Sequence, residues 1–332
     1  MRIAVDAMGG DYAPTEIVQG AVEAARTQEY EILLVGQEDV LATELAKYSK
    51  VDNLRIVHAP EVIAMDEPPA LALRRKKGTS IAVATELVKH GEAEALVSAG
   101  STGAQMAAAL FILGRVKGIL RPAITTLFPT VSKPTVLLDV GANTDVGAEH
   151  LLQFALMGSI YAEQILGRRN PKVGLLNIGT EPNKGNDATK EAYQVLSDAK
   201  LNFVGNVEAR ELPQGVVDVL VCDGFVGNVV IKLAEGLGST IFQLLKEELT
   251  SSFRTKLGAA LAAPGFRNLK TMMDYAEYGG APLLGVKGTS IICHGSSKAR
   301  AIVNAIKVAA DCTEQNMIGL IESSIASSVK GD

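Results

Sequence analysis

The sequence predicts an α/β fold, a doubly wound and mostly parallel sheet, on three observations. Short apolar runs alternate with stretches of helical periodicity from the first residues onward. Five of those runs end in turns that combine Gly with Asp, Asn, Ser or Thr. The chain is 47% hydrophobic with 32 Gly and no Trp, which suits a large core of Ala, Val, Leu and Ile.

Taken in order, Ile3-Ala-Val5 is the first strand and runs into Asp6-Ala-Met-Gly-Gly-Asp11. Pro14 stands at a helix start, and Ile17, Val18, Ala21, Val22 and Ala25 recur at helical spacing. Glu31–Gly36 is a strand, Glu38–Tyr48 a helix and Leu54–His58 a strand. The stretch Ala59–Pro69 is too proline-rich for a regular element and leads to the cations Arg74, Arg75, Lys76 and Lys77, then a helix to His90. Such a run is either a solvated helix end or a landing patch for an acidic partner or phosphate. Ala95–Ser98 is a buried strand, Gly100-Ser-Thr-Gly103 a turn, and a helix follows as far as Gly114. Pro122–Pro129 and Thr135–Leu138 are strands, Glu149–Leu166 a helix, and Val173–Leu176 and Asn202–Asn206 strands. Val216–Cys222 runs into Asp223–Asn228, with a helix expected from Val229. Strands at Leu283–Val286 and Thr289–Cys293 flank Lys287-Gly288 as an antiparallel hairpin, and Ser296 to about Ser328 is helical with a break near Asp311.

In a parallel sheet all such turns lie at one edge, the carboxyl end, where α/β folds bind ligands. A strand, a glycine turn and a helix also make a local anion site, because the first helix amides have no intrahelical acceptor and the dipole favours negative charge. The turns after Val5, Ser98, Leu138, Leu176 and Cys222 therefore gather Asp6, Ser101, Thr102, Gly103, Asp139, Asn143, Lys184, Asn186, Asp223 and Asn228 into one expected site. That set is mainly neutral donors with one lysine and the acids Asp6, Asp139 and Asp223, which suits either phosphate chemistry with a metal or metal-free holding of phosphate without consuming its nucleophilicity.

Net charge is −5, which gives no basic field for nucleic acid. Cys222, Cys293 and Cys312 form no CxxC and read as reduced cysteines of a cytoplasmic protein. The immediate first strand leaves no room for a signal peptide, and no apolar run approaches the roughly 20 residues that span a bilayer. From Leu249 to Met273 there is no acidic residue, while Arg254, Lys256, Arg267 and Lys270 are basic. Phe253, Leu257 and Leu261 line one helix face, Pro264-Gly265 breaks the chain, and Phe266, Leu269, Met272 and Met273 form a second stripe. Two short basic amphipathic helices so joined fit core packing, a partner subunit or an anionic membrane.

Other motifs fail. Gly280–Lys287 imitates a phosphate-binding loop but has Val286 where the lysine belongs, there is no Gly-x-Gly-x-x-Gly, and His58, His90, His150 and His294 have no metal-ligand spacing. No Gly-x-Ser-x-Gly elbow is present, and His294 by itself reads first as a satisfied buried histidine.

Asp6–Asp11, Arg74–Lys77, Ser98–Ala104, Asp139–Asn143, Gly179–Asn186, Asp223–Asn228, Tyr278–Ala281 and His294–Ser297 together resemble, in order, the bacterial phosphate acyltransferases. Those enzymes convert acyl-acyl carrier protein and inorganic phosphate into acyl phosphate for phospholipid synthesis. The resemblance implies a three-layer fold related to the phosphotransacetylases and the isocitrate/isopropylmalate dehydrogenases, spanning 1–332 as a single unit with a helical hairpin at 249–275. It implies a homodimer, peripheral contact with anionic membrane near the downstream glycerol-3-phosphate acyltransferase, and neither cofactor nor metal. It points to Lys184 and Asn228 as catalytic residues. Ser101, Thr102, Gly103, Asp139, Asn143, Asn186, Asp223, Gly224, Gly227 and His294 would bind substrate. Arg74, Arg75, Lys76 and Lys77 would dock carrier protein, and Leu257, Leu261 and Phe266 would touch the membrane. A phosphotransacetylase using acyl-coenzyme A and a non-catalytic scaffold are the competing readings.

Overall fold

The first stretch of chain alternates strand and helix: β1 (Arg2–Asp6), α1 (Thr15–Thr27), β2 (Glu31–Gly36), α2 (Glu38–Leu45), β3 (Leu54–His58), α3 (Pro69–Arg75), α4 (Ser80–Lys89) and β4 (Ala95–Ser98). The structure is a computed structural model that describes residues 1–64, 67–273 and 279–329. After β4 comes α5 (Thr102–Ala108), which widens into a π-helical turn at Ala109–Leu113. A second alternation follows: β5 (Ala123–Phe128), β6 (Thr135–Leu138), α6 (Ala148–Gln164), β7 (Val173–Asn177), α7 (Asp187–Asp198), β8 (Phe203–Glu208) and β9 (Val219–Val221). The chain ends with α8 (Gly224–Thr250), α9 (Phe253–Met273), β10 (Ala281–Leu284), β11 (Thr289–Ile292), α10 (Ala299–Glu314) and α11 (Met317–Val329).

The eleven strands of the described residues form one sheet in the order β3-β2-β1-β4-β11-β10-β5-β6-β9-β7-β8. The pairings from β3 to β11 are parallel, as are those from β6 to β8. The three central pairings, β11–β10, β10–β5 and β5–β6, are antiparallel. The expected mostly parallel sheet is present, and the expected antiparallel pair around Lys287-Gly288 is present with other bounds: Ala281 and Pro282 of β10 pair with Ile292 and Ile291 of β11, residues 285–288 connect them, and Leu283 and Leu284 pair with β5 instead.

Helices cover both faces, because the strands are apolar on both sides. In the first half, Ile3, Val5, Ile32 and Val97 pack on Ile17, Ile302 and Ile306 of α1 and α10, while Ala4, Leu33 and Leu96 face Ile81, Ala84 and Ala108 of α4 and α5. In the second half, Val136, Leu138, Leu175 and Val219 pack on Phe154 of α6 and Ile321 of α11, and Leu137, Leu220 and Val207 face Val230 and Ile231 of α8. These are the three layers.

Four expectations change. The two half-sheets run in opposite directions, since three antiparallel steps separate β11 from β6, so the five turns do not share one carboxyl edge. Pro264 lies inside the continuous helix α9 rather than breaking it. The hairpin turns instead at Ser251-Ser252, where the Ser252 hydroxyl accepts from the Thr255 amide at 3.2 Å and the Ser252 amide donates to Thr255 Oγ1 at 3.1 Å. Proline costs its helix one amide bond, and on this exposed helix water meets the carbonyl so released. The expected break near Asp311 falls at Gln315-Asn316, where Asn316 takes a φ of +49°. Finally, α8 begins at Gly224 instead of Val229, and by length and composition it is apolar enough to cross a membrane. Its most apolar stretch has a mean hydropathy of 1.3, and 6% of it is buried. Tyr278, residues 274–275 and the side chains of Lys270, Met272 and Met273, which carried expectations, lie outside what is described.

Candidate functional site

Two sets of side chains, one from each half-sheet, face one another where the strand direction reverses. In the first half the turns after β1, β4 and β11 are tied together. The Ser98 hydroxyl donates to the Asp6 carboxylate at 2.7 Å, and the Asp11 amide donates to the Gly295 carbonyl at 2.8 Å. A Cβ on Gly9 would stand 2.8 Å from Gly100 Cα, so the two turns touch through backbone alone. Asp6 is completely buried, and burial pushes its carboxyl above the usual range against the hydrogen bonds it accepts.

In the second half Asp139 is the organising residue. It is fully buried and accepts from the amides of Ile124 at 3.0 Å, Ala142 at 3.1 Å and Asn143 at 2.7 Å, and from the Asn143 side chain at 2.8 Å. Burial raises its pKa, and those four bonds pull the other way. The first turn of α8 sits on this loop. Gly224 donates its amide to the Asn143 carbonyl at 2.7 Å, Asp223 caps the helix by accepting from the Val226 amide at 2.8 Å, and the Gly227 amide donates to the Asp223 carbonyl at 2.9 Å. A Cβ on Gly227 would lie 1.9 Å from the Asp139 carbonyl oxygen. That close seat aims Asn228 past Gly141, whose own Cβ position would be 3.8 Å from the Asn228 side chain.

Between the halves is a cavity of about 330 Å³. Thr102, Asn228, Lys232 and His294 give it polar walls, and Ile124, Leu127, Val140 and Ile292 give it apolar ones. Residues of both half-sheets are needed to enclose it. A second cavity, about 570 Å³, lies beside the ends of β7 and β9 and has Asn177, Asn186 and Asp223 over Leu151, Leu175 and Val230.

The expected residues therefore divide. Thr102, Asn228 and His294 share the central cavity, whereas Asn186 and Asp223 line the lateral one. His294 is exposed at the cavity wall rather than a buried core histidine. Lys184 is exposed on the loop after β7 and lines neither cavity, although its carbonyl accepts from the Asn177 side chain at 3.1 Å. Ser101 precedes α5 without a capping bond from its side chain and borders a small recess with Asp6 and Gly100, and Gly103 is exposed in the first turn.

Hydrogen bonding also reassigns several groups. The amides of Gly224, Val226 and Gly227 donate within the seat and cap of α8. The Asn143 side chain is held by the Pro122 carbonyl at 2.7 Å and by Asp139, and Asn186 caps α7 by accepting from the Thr189 amide at 2.9 Å. Of the four consecutive cations, Lys76 is paired with Glu67 at 2.6 Å and donates to the Val62 carbonyl at 3.1 Å, which leaves Arg74, Arg75 and Lys77 exposed. Leu257 and Leu261 are exposed on α9, and Phe266 is half-buried. Sequence reasoning missed Lys232 altogether. Its signal was the four-residue interval from Asn228, which puts both on one face once the helix is known to start at Gly224.

The sequence matches the family described as fatty acid synthesis protein over residues 1–320. A phosphate acyltransferase of Moorella thermoacetica is 60% identical over 318 residues, 96% of this chain and 94% of that one. One of Desulfitobacterium hafniense is 59% identical over 326 residues, 98% of each chain. Among solved structures, a phosphotransacetylase from Staphylococcus aureus superposes with a TM-score of 0.64 at 18% identity, covering 94% of both chains. One from Streptococcus pyogenes gives 0.64 at 20%, covering 95% of this chain and 94% of its own. At those identities the likeness concerns the fold, whereas the full-length relatives settle the enzyme class: the chain belongs to the phosphate acyltransferases.

Proposed function

We propose that this enzyme moves a fatty acyl group from acyl carrier protein to inorganic phosphate and releases acyl phosphate for phospholipid synthesis. The observation that carries the reading is the central cavity, which joins apolar walls fit for an acyl chain to the donors Thr102, Asn228, Lys232 and His294. The reaction asks for little else. A phosphate oxygen attacks the thioester carbonyl, the carbon–sulfur bond breaks and the thiol leaves, so no side-chain nucleophile is needed. Catalysis is then positioning plus hydrogen bonding to the developing oxyanion, where one donor is typically worth about 3–4 kcal/mol. Asn228 supplies that donor, and Lys184, on the loop after β7, orients the phosphate.

Carrier protein docks on Arg74, Arg75 and Lys77, whose charge suits an acidic partner. Two copies pair along α8, where Phe225, Val229, Leu233, Leu237, Ile241 and Leu244 stand exposed at helical spacing. The α9 arm, with Leu257 and Leu261 outermost, visits anionic bilayers, so a cytoplasmic enzyme delivers its apolar product to the membrane and the next acyltransferase there.

The test is to incubate purified protein and phosphate with acyl-acyl carrier protein or, separately, acyl-coenzyme A, trapping acyl phosphate as hydroxamate. Hydroxamate formed with the carrier-protein thioester at low concentration supports the reading. Efficient formation with acyl-coenzyme A alone replaces it with a phosphotransacetylase, and no product from either thioester rejects it.

A further inference from the structure

The loop after β7, residues 178–186, carries Lys184, and its backbone is fastened at several points. Glu181 to Lys184 is a tight turn with Pro182 at its second position, closed by the Lys184 amide on the Glu181 carbonyl at 3.1 Å. The same carbonyl accepts from the Asn206 side chain of β8 at 2.8 Å, so both of its lone pairs are used. The Lys184 carbonyl accepts from Asn177 Nδ2 at 3.1 Å, and Asn177 Oδ1 accepts from the Ile178 amide at 2.8 Å. One side chain thus joins the two ends of the loop. Gly185 follows with a φ of +98°, where a Cβ would stand 2.6 Å from Asn177 Oδ1, and Asn186 then caps α7.

A backbone held in this way leaves the direction of the lysine side chain to be set, and Gly179 sets it. Gly179 is buried and has no positive φ, so the chain there needs glycine for space and not for conformation. A Cβ built on it would lie 3.0 Å from Lys184 Cγ and 3.5 Å from Lys184 Cδ. The apolar stem of the lysine therefore crosses the bare face of this glycine. The Glu181 carboxylate borders the same point at 2.8 Å. Both neighbours are side chains that can swing, so a methyl at Gly179 would redirect them and leave the backbone where it is. Such redirection matters because a misplacement of about 1 Å can cost roughly 10²-fold in rate.

We propose that Gly179 and Asn177 are positioning residues for Lys184. Gly179 gives the stem its track, Asn177 fixes the lysine carbonyl, and Asn206 holds the turn that precedes it. The inference rests on the acyl-transfer reading for the part Lys184 plays toward phosphate.

The hydroxamate assay on the full chain tests this as a double-mutant cycle. One variant is Gly179→Ala. The other is Asn177→Asp, which keeps the acceptor for the Ile178 amide and loses the donor to Lys184. Each should lower kcat/KM for phosphate by about tenfold or more and leave the thioester KM within about twofold. In a Lys184→Ala background each should change kcat/KM by less than about twofold, because nothing remains to be positioned. Gly179→Ala should melt with the wild type. Equal losses in both backgrounds would show a merely structural role and overturn the proposal, and unchanged kinetics in the wild-type background would do the same. A second measurement needs no activity: trace acetylation of amines, read by mass spectrometry. Gly179→Ala should raise the rate at Lys184 relative to Lys190 on α7. Wild-type protein that yields no hydroxamate, or Lys184→Ala with full turnover, marks a failure of the acyl-transfer reading or of the lysine's part in it. In those cases, and where the Lys184→Ala background is too slow to measure, labelling decides. A raised rate keeps the track over Gly179, and an unchanged one removes it.

Discussion

Gly227 shows how much of the site depends on one hydrogen atom. A methyl there would overlap the Asp139 carbonyl oxygen, which is backbone and cannot swing aside, so α8 would have to lift from its seat. Gly227→Ala should cost about 3 kcal/mol in urea unfolding and move Asn228 and Lys232 together, lowering turnover far more than binding of carrier protein. A variant with wild-type stability and turnover would disprove that tight seating. The buried carboxyls make a second expectation. Asp6 and Asp139 titrate above the ordinary carboxylate range because of burial. Between the unfolded and folded pKa values the native chain holds protons that the unfolded chain has released, so their contribution to stability is greatest in acid and falls as pH rises through that interval. Replacing Asp6 with Asn should flatten the loss of unfolding free energy between acid and neutral pH, and an unchanged slope would count against it. Residues of this sort were legible as types but not as roles. Asp139, Asn143 and Asn186 stood out as polar groups after apolar strands, yet only backbone amides brought close by folding reveal that their hydrogen bonds are already committed.

At the scale of elements, periodicity located the strands and helices well, because apolar runs closed by glycine turns carry their own boundaries. It failed where partners outside the local window decide. Pro264-Gly265 has the composition of a break, but α9 runs through it, and the turn belongs to Ser251-Ser252, whose reciprocal bonds with Thr255 are invisible to an apolar count. The long α8 was hidden because Lys232 and Glu235 interrupt its apolar run. Its exposed stripe and the α9 arm carry separate expectations. Leu257→Glu with Leu261→Glu should abolish flotation with anionic vesicles and leave the sedimentation coefficient and acyl phosphate formation in solution unchanged. Dissociation of a dimer in that variant would move the subunit contact from α8 onto α9, and retained flotation would remove α9 as the anchor.

Across the whole molecule, alternation of strand and helix predicted the parallel halves but not their opposition, because β5 and β10 look like any other strand until their partners are known. Opposition is what lets turns from both halves close on one cavity. The placement of β11 between β4 and β10 has a further consequence, in time rather than space. β4 ends at Ser98, is buried along its whole length, and pairs on one side with β1 and on the other with β11, which begins only at Thr289. During synthesis the first half-sheet therefore carries an open apolar edge while nearly all of the second half is being made. Such an edge is a template for pairing with other chains. Chains halted at Gly288 should collect in aggregates and bind chaperones, and adding a peptide of residues 289–329 should rescue soluble protein. Soluble, monomeric truncated chains would mean that the first half guards its edge in another way.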